Sequence, residues 1–240
     1  MIYDRFISPE LNKRLQRPFV DIVFGARQTG KTCLLQHLLA PSLSYNLAAP
    51  SEHARLAAAE SGNTLNYSKL STEVGVSVPT IKSHYQLLED MFVGFSVRAF
   101  SGSVRKNLLS TPRFLFFDVG VRHAASGITP GPDAVAADPG NIFEQWIGAE
   151  LYRRLAYLKH GTLSYLRTKS GAEIDYIVEL EDRLLPIEVK WTAHPTPKDA
   201  RHLTTFIEEQ SRAEEGFKIC RCPRPQKMSK HVTAIPWHML

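Results

Sequence analysis

Three stretches of this 240-residue chain differ in how apolar and polar residues alternate. In residues 1–50, an apolar run at 20–24 predicts a strand, a glycine-containing loop follows, and helical apolar spacing over 32–39 predicts a helix. Pro41 ends that helix, because it has no amide hydrogen to donate. In residues 51–127, the alanine-rich 54–60 predicts a helix closed by Gly62, and 68–74 a short helix stopped by Gly75. Ser77 is the expected N-cap of a longer helix running from 78 or 79 to about 91. Residues 92–100 and 113–117 read as strands. Helix, helix, turn, helix, strand, strand is the order of a winged helix-turn-helix. Residues 128–140, with Pro130, Gly131, Pro132 and Pro139 and no apolar period, read as an exposed, mobile linker. In residues 141–240, apolar spacing over 143–158 predicts a helix. Strands are expected at 163–166, 173–180 and 184–190, and a further helix at 198–209. The fold class expected of this last stretch is α/β.

Composition narrows the picture. Hydrophobic residues make up 43% of the chain, which suits a folded protein rather than a disordered one. The net charge of +5 allows a polyanionic partner such as DNA without requiring one. Three cysteines, Cys33, Cys220 and Cys222, are too few and too odd in number for a disulfide framework, and fit a reducing cytosol. Residues 1–17 lack the apolar core of a signal peptide, and runs such as 114–117 are far too short to cross a bilayer. The expectation is a cytoplasmic protein without a membrane partner; oligomeric state and protein partners stay open.

The sharpest chemical signal is Gly25-Ala26-Arg27-Gln28-Thr29-Gly30-Lys31-Thr32, a full match to G-x-x-x-x-G-K-[ST] between an apolar strand and a helix. In that order the loop turns backbone N–H groups toward phosphates, and Gly30 removes a side chain that would clash. The following helix aims its positive end at the same charge. Lys31 would reach the β- and γ-phosphates and Thr32 would ligate magnesium. The implied cofactors are ATP and Mg2+. Hydrolysis further needs an acidic residue at the end of a neighbouring strand. Asp118, after the apolar 114–117, reads either as that residue or as a capping aspartate, and Val119 stands where many ATPases carry a glutamate. Only about fifteen residues separate the P-loop helix from the next helical region, and each further parallel strand needs a crossover of about a dozen. They have room for one short strand at 44–47, so the nucleotide module is incomplete.

Asp175, Glu188 and Lys190 form a second constellation. Residues alternate faces along a strand, so Glu188 and Lys190 share a face, and a short turn makes the strand bearing Asp175 an antiparallel neighbour. This is the D…ExK pattern, in which Asp175 and Glu188 would hold a metal ion against a phosphodiester and Lys190 would help activate water. Glu144 or Glu150 is a candidate further ligand. The plain alternative is a solvated strand face with a Glu188–Lys190 ion pair.

Within 70–88, Ile81 and Leu87 or Leu88 are expected to face a core. Thr80, Lys82, Ser83 and Gln86 would lie outward, suited to a DNA groove or to a protein partner. Arg98, Arg105, Lys106, Arg113 and Arg122 add charge that could meet phosphates. Cys220 and Cys222, with His231 and His238 downstream, fit no standard zinc spacing.

Taken together, residues 25–32, the helix-turn-helix, Phe143-Glu144, Arg167-Thr168-Lys169, Glu173-Ile174-Asp175 and Ile187-Glu188-Val189-Lys190 resemble a family of prokaryotic AAA+-like ATPases. In that family an ATPase core precedes a winged helix and a C-terminal domain with a restriction-endonuclease-like, PD-(D/E)xK nuclease-like fold. The resemblance covers nearly the whole chain. It implies a P-loop fragment at 1–50, a winged helix at 51–127, a linker at 128–140 and the nuclease-like α/β domain at 141–240. Tyr45-Asn46-Leu47 resembles the start of the family's second core strand, and residues 112–120 a strand-and-turn segment, not its Walker B strand. The family's Walker B pair, sensor segment and arginine-bearing elements have no matching positions here. The chain reads as a family member with an internal deletion of the ATPase core. Three functions follow: an ATP-binding protein without assured hydrolysis, a metal-dependent nuclease, or a non-catalytic DNA- or protein-binding adaptor.

Overall fold

The first described helix of the computed structural model, α1 (Glu52–Ala59), is built on alanine and packs tightly, with Ala57 and Ala58 buried. The structure describes residues 52–102, 111–129, 131–168 and 171–240. These all belong to one compact unit, Leu47–Leu240. The P-loop at 25–32, the elements expected around it, Tyr45-Asn46-Leu47, Arg105 and Lys106 lie outside the described residues.

Helix α2 (Tyr67–Val74) starts where the Asn66 side chain accepts the Lys69 amide at 3.0 Å. It ends at Gly75, whose φ of 72° is the left-handed C-cap that glycine adopts without a Cβ clash. Helix α3 (Val78–Asp90) is capped by Ser77 and carries a proline in its first turn. Its inward residues are Ile81 and Tyr85, with Leu88 partly buried beside them. Strands β1 (Gly94–Ala99) and β2 (Arg113–Phe116) then pair antiparallel, Gly94 opposite Phe116 and Val97 opposite Arg113. The first strand begins later than the expected 92, because Phe92 sits in a turn at φ 55°. Leu65, Leu70, Ile81, Tyr85, Phe114 and Phe116 form the core under the three helices.

Residues 128–140, expected as a linker, carry helix α5 (Pro132–Ala137) after α4 (Val119–Ser126), and then the first turn of α6 (Pro139–Leu158). Pro132 and Pro139 each occupy a helix's first turn, where a missing N–H leaves no hydrogen bond unmade. What looked like breakers are starters.

After α6 come β3 (Thr162–Arg167), β4 (Glu173–Glu179) and β5 (Leu184–Val189), consecutive antiparallel neighbours. The helix expected at 198–209 is divided into a 3-10 turn, Pro197–Ala200, and α7 (Arg201–Glu209). This crossover returns the chain to β6 (Gly216–Cys220), parallel to β5. Strands β7 (Gln226–Lys227) and β8 (Val232–Pro236) complete the sheet.

All eight described strands lie in one mixed sheet, in the order β2-β1-β3-β4-β5-β6-β8-β7. The junction is a parallel pairing of β1 with β3, Arg98 opposite Ser164 and Ala99 opposite Tyr165. The stretches 51–127 and 141–240 therefore share a sheet. Helix α6 belongs to a core with Val97, Leu115, Ile147, Tyr165, Tyr176, Ile187 and Ile219. Helix α7 belongs to another with Leu166, Ile174, Ile177, Leu184, Leu203, Phe206 and Val232. Gly148 brings α6 close to the sheet: a Cβ there would lie 2.4 Å from the Tyr176 hydroxyl and 2.7 Å from Leu115 Cδ1. Among the described residues no helix is long and apolar enough to cross a membrane.

Candidate functional site

A break in the strand alternation shapes the site. Ser164 faces Ile177 and Leu166 faces Ile174, so two steps along β3 match three along β4. Tyr165 is thus opposed by a bulge of Asp175 and Tyr176. Tyr176 enters the α6 core, while Ile174 and Ile177 both enter the α7 core. The Tyr176 hydroxyl donates to the Glu144 carbonyl at 2.9 Å, fixing α6 over the bulge.

Arg113, the first residue of β2, reaches into this region. It is only 2% exposed. Its Nη1 donates to Glu144 Oε1 at 3.0 Å, its Nη2 donates to Glu173, and its guanidinium lies 4.5 Å from the Tyr165 ring centre. Its Nε is buried and has no hydrogen-bond partner among the described residues. Burial pushes the Glu144 carboxyl up; Arg113 opposes this, Glu173 adds to it, and the net shift is upward. Asp175 Oδ2 accepts the Val189 amide at 2.8 Å. Burial, and then the charge of Glu144, hold the Asp175 carboxyl well above the usual carboxylate range, although the Val189 amide and Arg113 act the other way.

Glu188 is met by Lys218 of β6, Nζ to Oε2 at 2.8 Å. Lys218 is itself buried and also donates to the Asp199 carbonyl at 3.3 Å. Lys190 is paired with Asp199, not with Glu188. Burial raises the Asp199 carboxyl, but the Lys190 ammonium, the Thr196 amide and hydroxyl, and Lys218 outweigh it and bring it down to about 2. Asp175 and Glu188 are close enough for the charge of Glu188 to raise Asp175 further. The structure thus places Asp175, Glu188 and Glu144 in one region and gives each a protein partner. Glu150 stands apart, bound by Arg153 and Arg154.

Arg113 and Arg122, expected as surface cations for phosphates, are both buried. Arg122 donates to the Ala58 carbonyl at 3.2 Å and to Asn141 Oδ1 at 3.4 Å, so it ties α1 to α6. Arg98, Lys82, Ser83 and Gln86 are exposed, and Thr80 is half-buried beside Ser77. Asp118 caps α4 by accepting the Val121 amide at 3.1 Å. Cys220 and Cys222 are free and buried, and His231 meets the Glu214 carbonyl at 3.0 Å. Burial, then Cys220, pushes the Cys222 thiol up to about 11. Among the described residues no group of three or more His, Cys, Asp or Glu side chains is gathered to hold a metal ion.

The sequence reading missed the partners Arg113, Glu173, Lys218 and Asp199. One signal for Lys218 was available: a lysine in the middle of Gly216–Cys220, otherwise apolar, needs a buried counter-charge. Arg113 opens the apolar Arg113–Phe116 in the same way.

Two domain-family models match parts of the chain: residues 139–240 match a domain of unknown function (DUF4143), and residues 42–131 match a domain of unknown function (DUF8612). A comparison with curated proteins returns no match. Among solved structures, a chain from the half-complex of the tetradecameric assembly of Thermococcus gammatolerans McrB AAA+ hexamers with bound McrC is similar at 12% identity and a TM-score of 0.31. The match covers 84% of this chain and 65% of that one, so the chain spans about two thirds of its length.

Proposed function

We propose that this chain is an ATP-binding protein of the AAA+-like type with a reduced ATPase core, in which residues 25–32 hold Mg-ATP. The observation that carries the reading is the complete P-loop motif in its strand–loop–helix sequence context. Backbone amides of Gly25, Ala26, Arg27, Gln28, Thr29 and Gly30 would cradle the phosphates. Lys31 would neutralise them and Thr32 would take a magnesium position. Bound ATP supplies a phosphoanhydride, but the chain offers no Walker B pair to activate water. Asp118, the nearest alternative, has its carboxylate engaged as a helix cap. Binding without turnover follows. Titration of labelled ATP with magnesium tests it: wild type should saturate at one equivalent and Lys31→Ala should lose at least tenfold in affinity, about 1.4 kcal/mol. Equal affinity of the two proteins would refute the assignment.

A second reading concerns the region after residue 51. Helices α2 and α3 with strands β1 and β2 follow the order of a winged helix, and Lys82, Ser83 and Gln86 are exposed on α3. This supports a docking role for α3, on duplex DNA or on protein. Affinity for DNA that falls steeply with salt would favour the former. The order α6-β3-β4-β5-α7-β6 supports a nuclease-like fold for 141–240, and a nuclease using Asp175, Glu188 and Lys190 would require magnesium-dependent cleavage abolished by Asp175→Ala.

A further inference from the structure

We infer that Arg113, seated on Glu144 and Glu173, and Lys218, seated on Glu188, are the resident cations around Asp175, so that this face is closed to a divalent metal ion and Arg113 works as a charge lock fastening β2 to the elements that follow it. The inference does not rest on nucleotide binding.

The metal that the D…ExK pattern implies can be tested against the side chains present. A magnesium or manganese ion takes oxygen ligands at about 2.0–2.2 Å and needs carboxylate oxygens free to face it. Glu188 faces Lys218 at 2.8 Å, and Asp175 Oδ2 takes the Val189 amide at the same distance. Glu144, a further ligand candidate near them, is bound by Arg113 at 3.0 Å. A divalent ion among these half-buried carboxylates would also face the buried Arg113 and Lys218 charges, whose repulsion is less screened than that of surface cations. With Lys218 already neutralising Glu188 and Arg113 already neutralising Glu144, the residues do not fit the metal.

They fit an arginine. The guanidinium is a planar fork whose donors match two carboxylates at once, and it stacks on aromatic faces. Arg113 uses all of this. Its two ends bind Glu144 on α6 and Glu173 on β4, and its plane lies over Tyr165 on β3. One side chain from β2 thereby engages three elements of the following region. A buried guanidinium carries a heavy desolvation cost and persists only where carboxylates offset it, which places its partners under the same constraint.

The test is thermal melting of the full chain without nucleotide, with manganese as the probe. Wild type, Asp175→Asn and Glu188→Gln should show the same small response to manganese. A wild-type melting temperature that rises by roughly 5–10 °C in manganese, as a site filled at a hundred times its Kd would give, and that does not rise in Asp175→Asn, would overturn the inference. Charge coupling gives a second readout. Glu144→Gln alone should melt below wild type, whereas Glu144→Gln added to Arg113→Met should raise the melting temperature, because it removes a half-buried carboxylate left without its cation. A Glu144→Gln effect of the same sign in both backgrounds would also overturn it. If Arg113→Met does not fold, the comparison of wild type with Asp175→Asn in manganese decides alone.

Discussion

Asp199 holds three partners at once: the Lys190 ammonium, the Thr196 amide and the Thr196 hydroxyl. Its carboxyl is brought down to about 2, so its contribution is fully present above the unfolded value near 3.8 and is lost as pH falls through about 2. Asp199→Asn should therefore cost on the order of 1–2 kcal/mol at neutral pH, measured by urea unfolding, with the gap to wild type narrowing as pH drops below 4. Asp175 behaves oppositely. Its folded carboxyl is raised, so the stability tied to its protonated form is present in acid and lost as pH rises through the folded value. Asp175→Asn, measured the same way, should gain steadily on wild type as pH rises above the usual carboxylate range. A constant difference over that rise would show that Asp175 ionises as freely in the folded chain as in the unfolded one.

At the scale of elements, the packing of α6 on the sheet is set by one glycine. A Cβ at Gly148 would meet Tyr176, whose hydroxyl is tied to the Glu144 carbonyl, and so it cannot simply displace the ring. Gly148→Ala gains about 1 kcal/mol of helix propensity but should cost about 2–3 kcal/mol in overpacking, a net loss visible as a lower midpoint in chemical denaturation. Most elements were legible because their signals are local. Ser77 and Gly75 mark helix ends through side-chain and backbone geometry that depends on those residues alone. The helix at 143–158 and the three strands after it keep their period over enough residues to be read. Pro132 and Pro139 misled because proline punctuates equally well at the end of a helix and in its first turn. The bulge at Asp175 and Tyr176 was not legible. It depends on the register of β4 against β3, which no single strand's alternation records.

At the scale of the molecule, the same difference separates what could be foreseen in the site from what could not. Asp175, Glu188 and Lys190 were visible as a spacing within two neighbouring strands. Their counter-charges were not, because Lys218 arrives through a crossover helix and Arg113 from a strand before α6. The parallel pairing of β1 with β3 makes the second possible, since it sets the strand pair β1–β2 beside the later strands as one sheet. On the function proposed above, the described region would dock and brace, and ligand chemistry would belong to the P-loop at residues 25–32. Single-turnover mixing of the full chain with γ-labelled ATP and magnesium tests that division most directly. One equivalent of intact ATP retained by wild type, absent with Lys31→Ala, and no release of labelled phosphate is the predicted result; steady phosphate release, or no retained ATP at all, would contradict it.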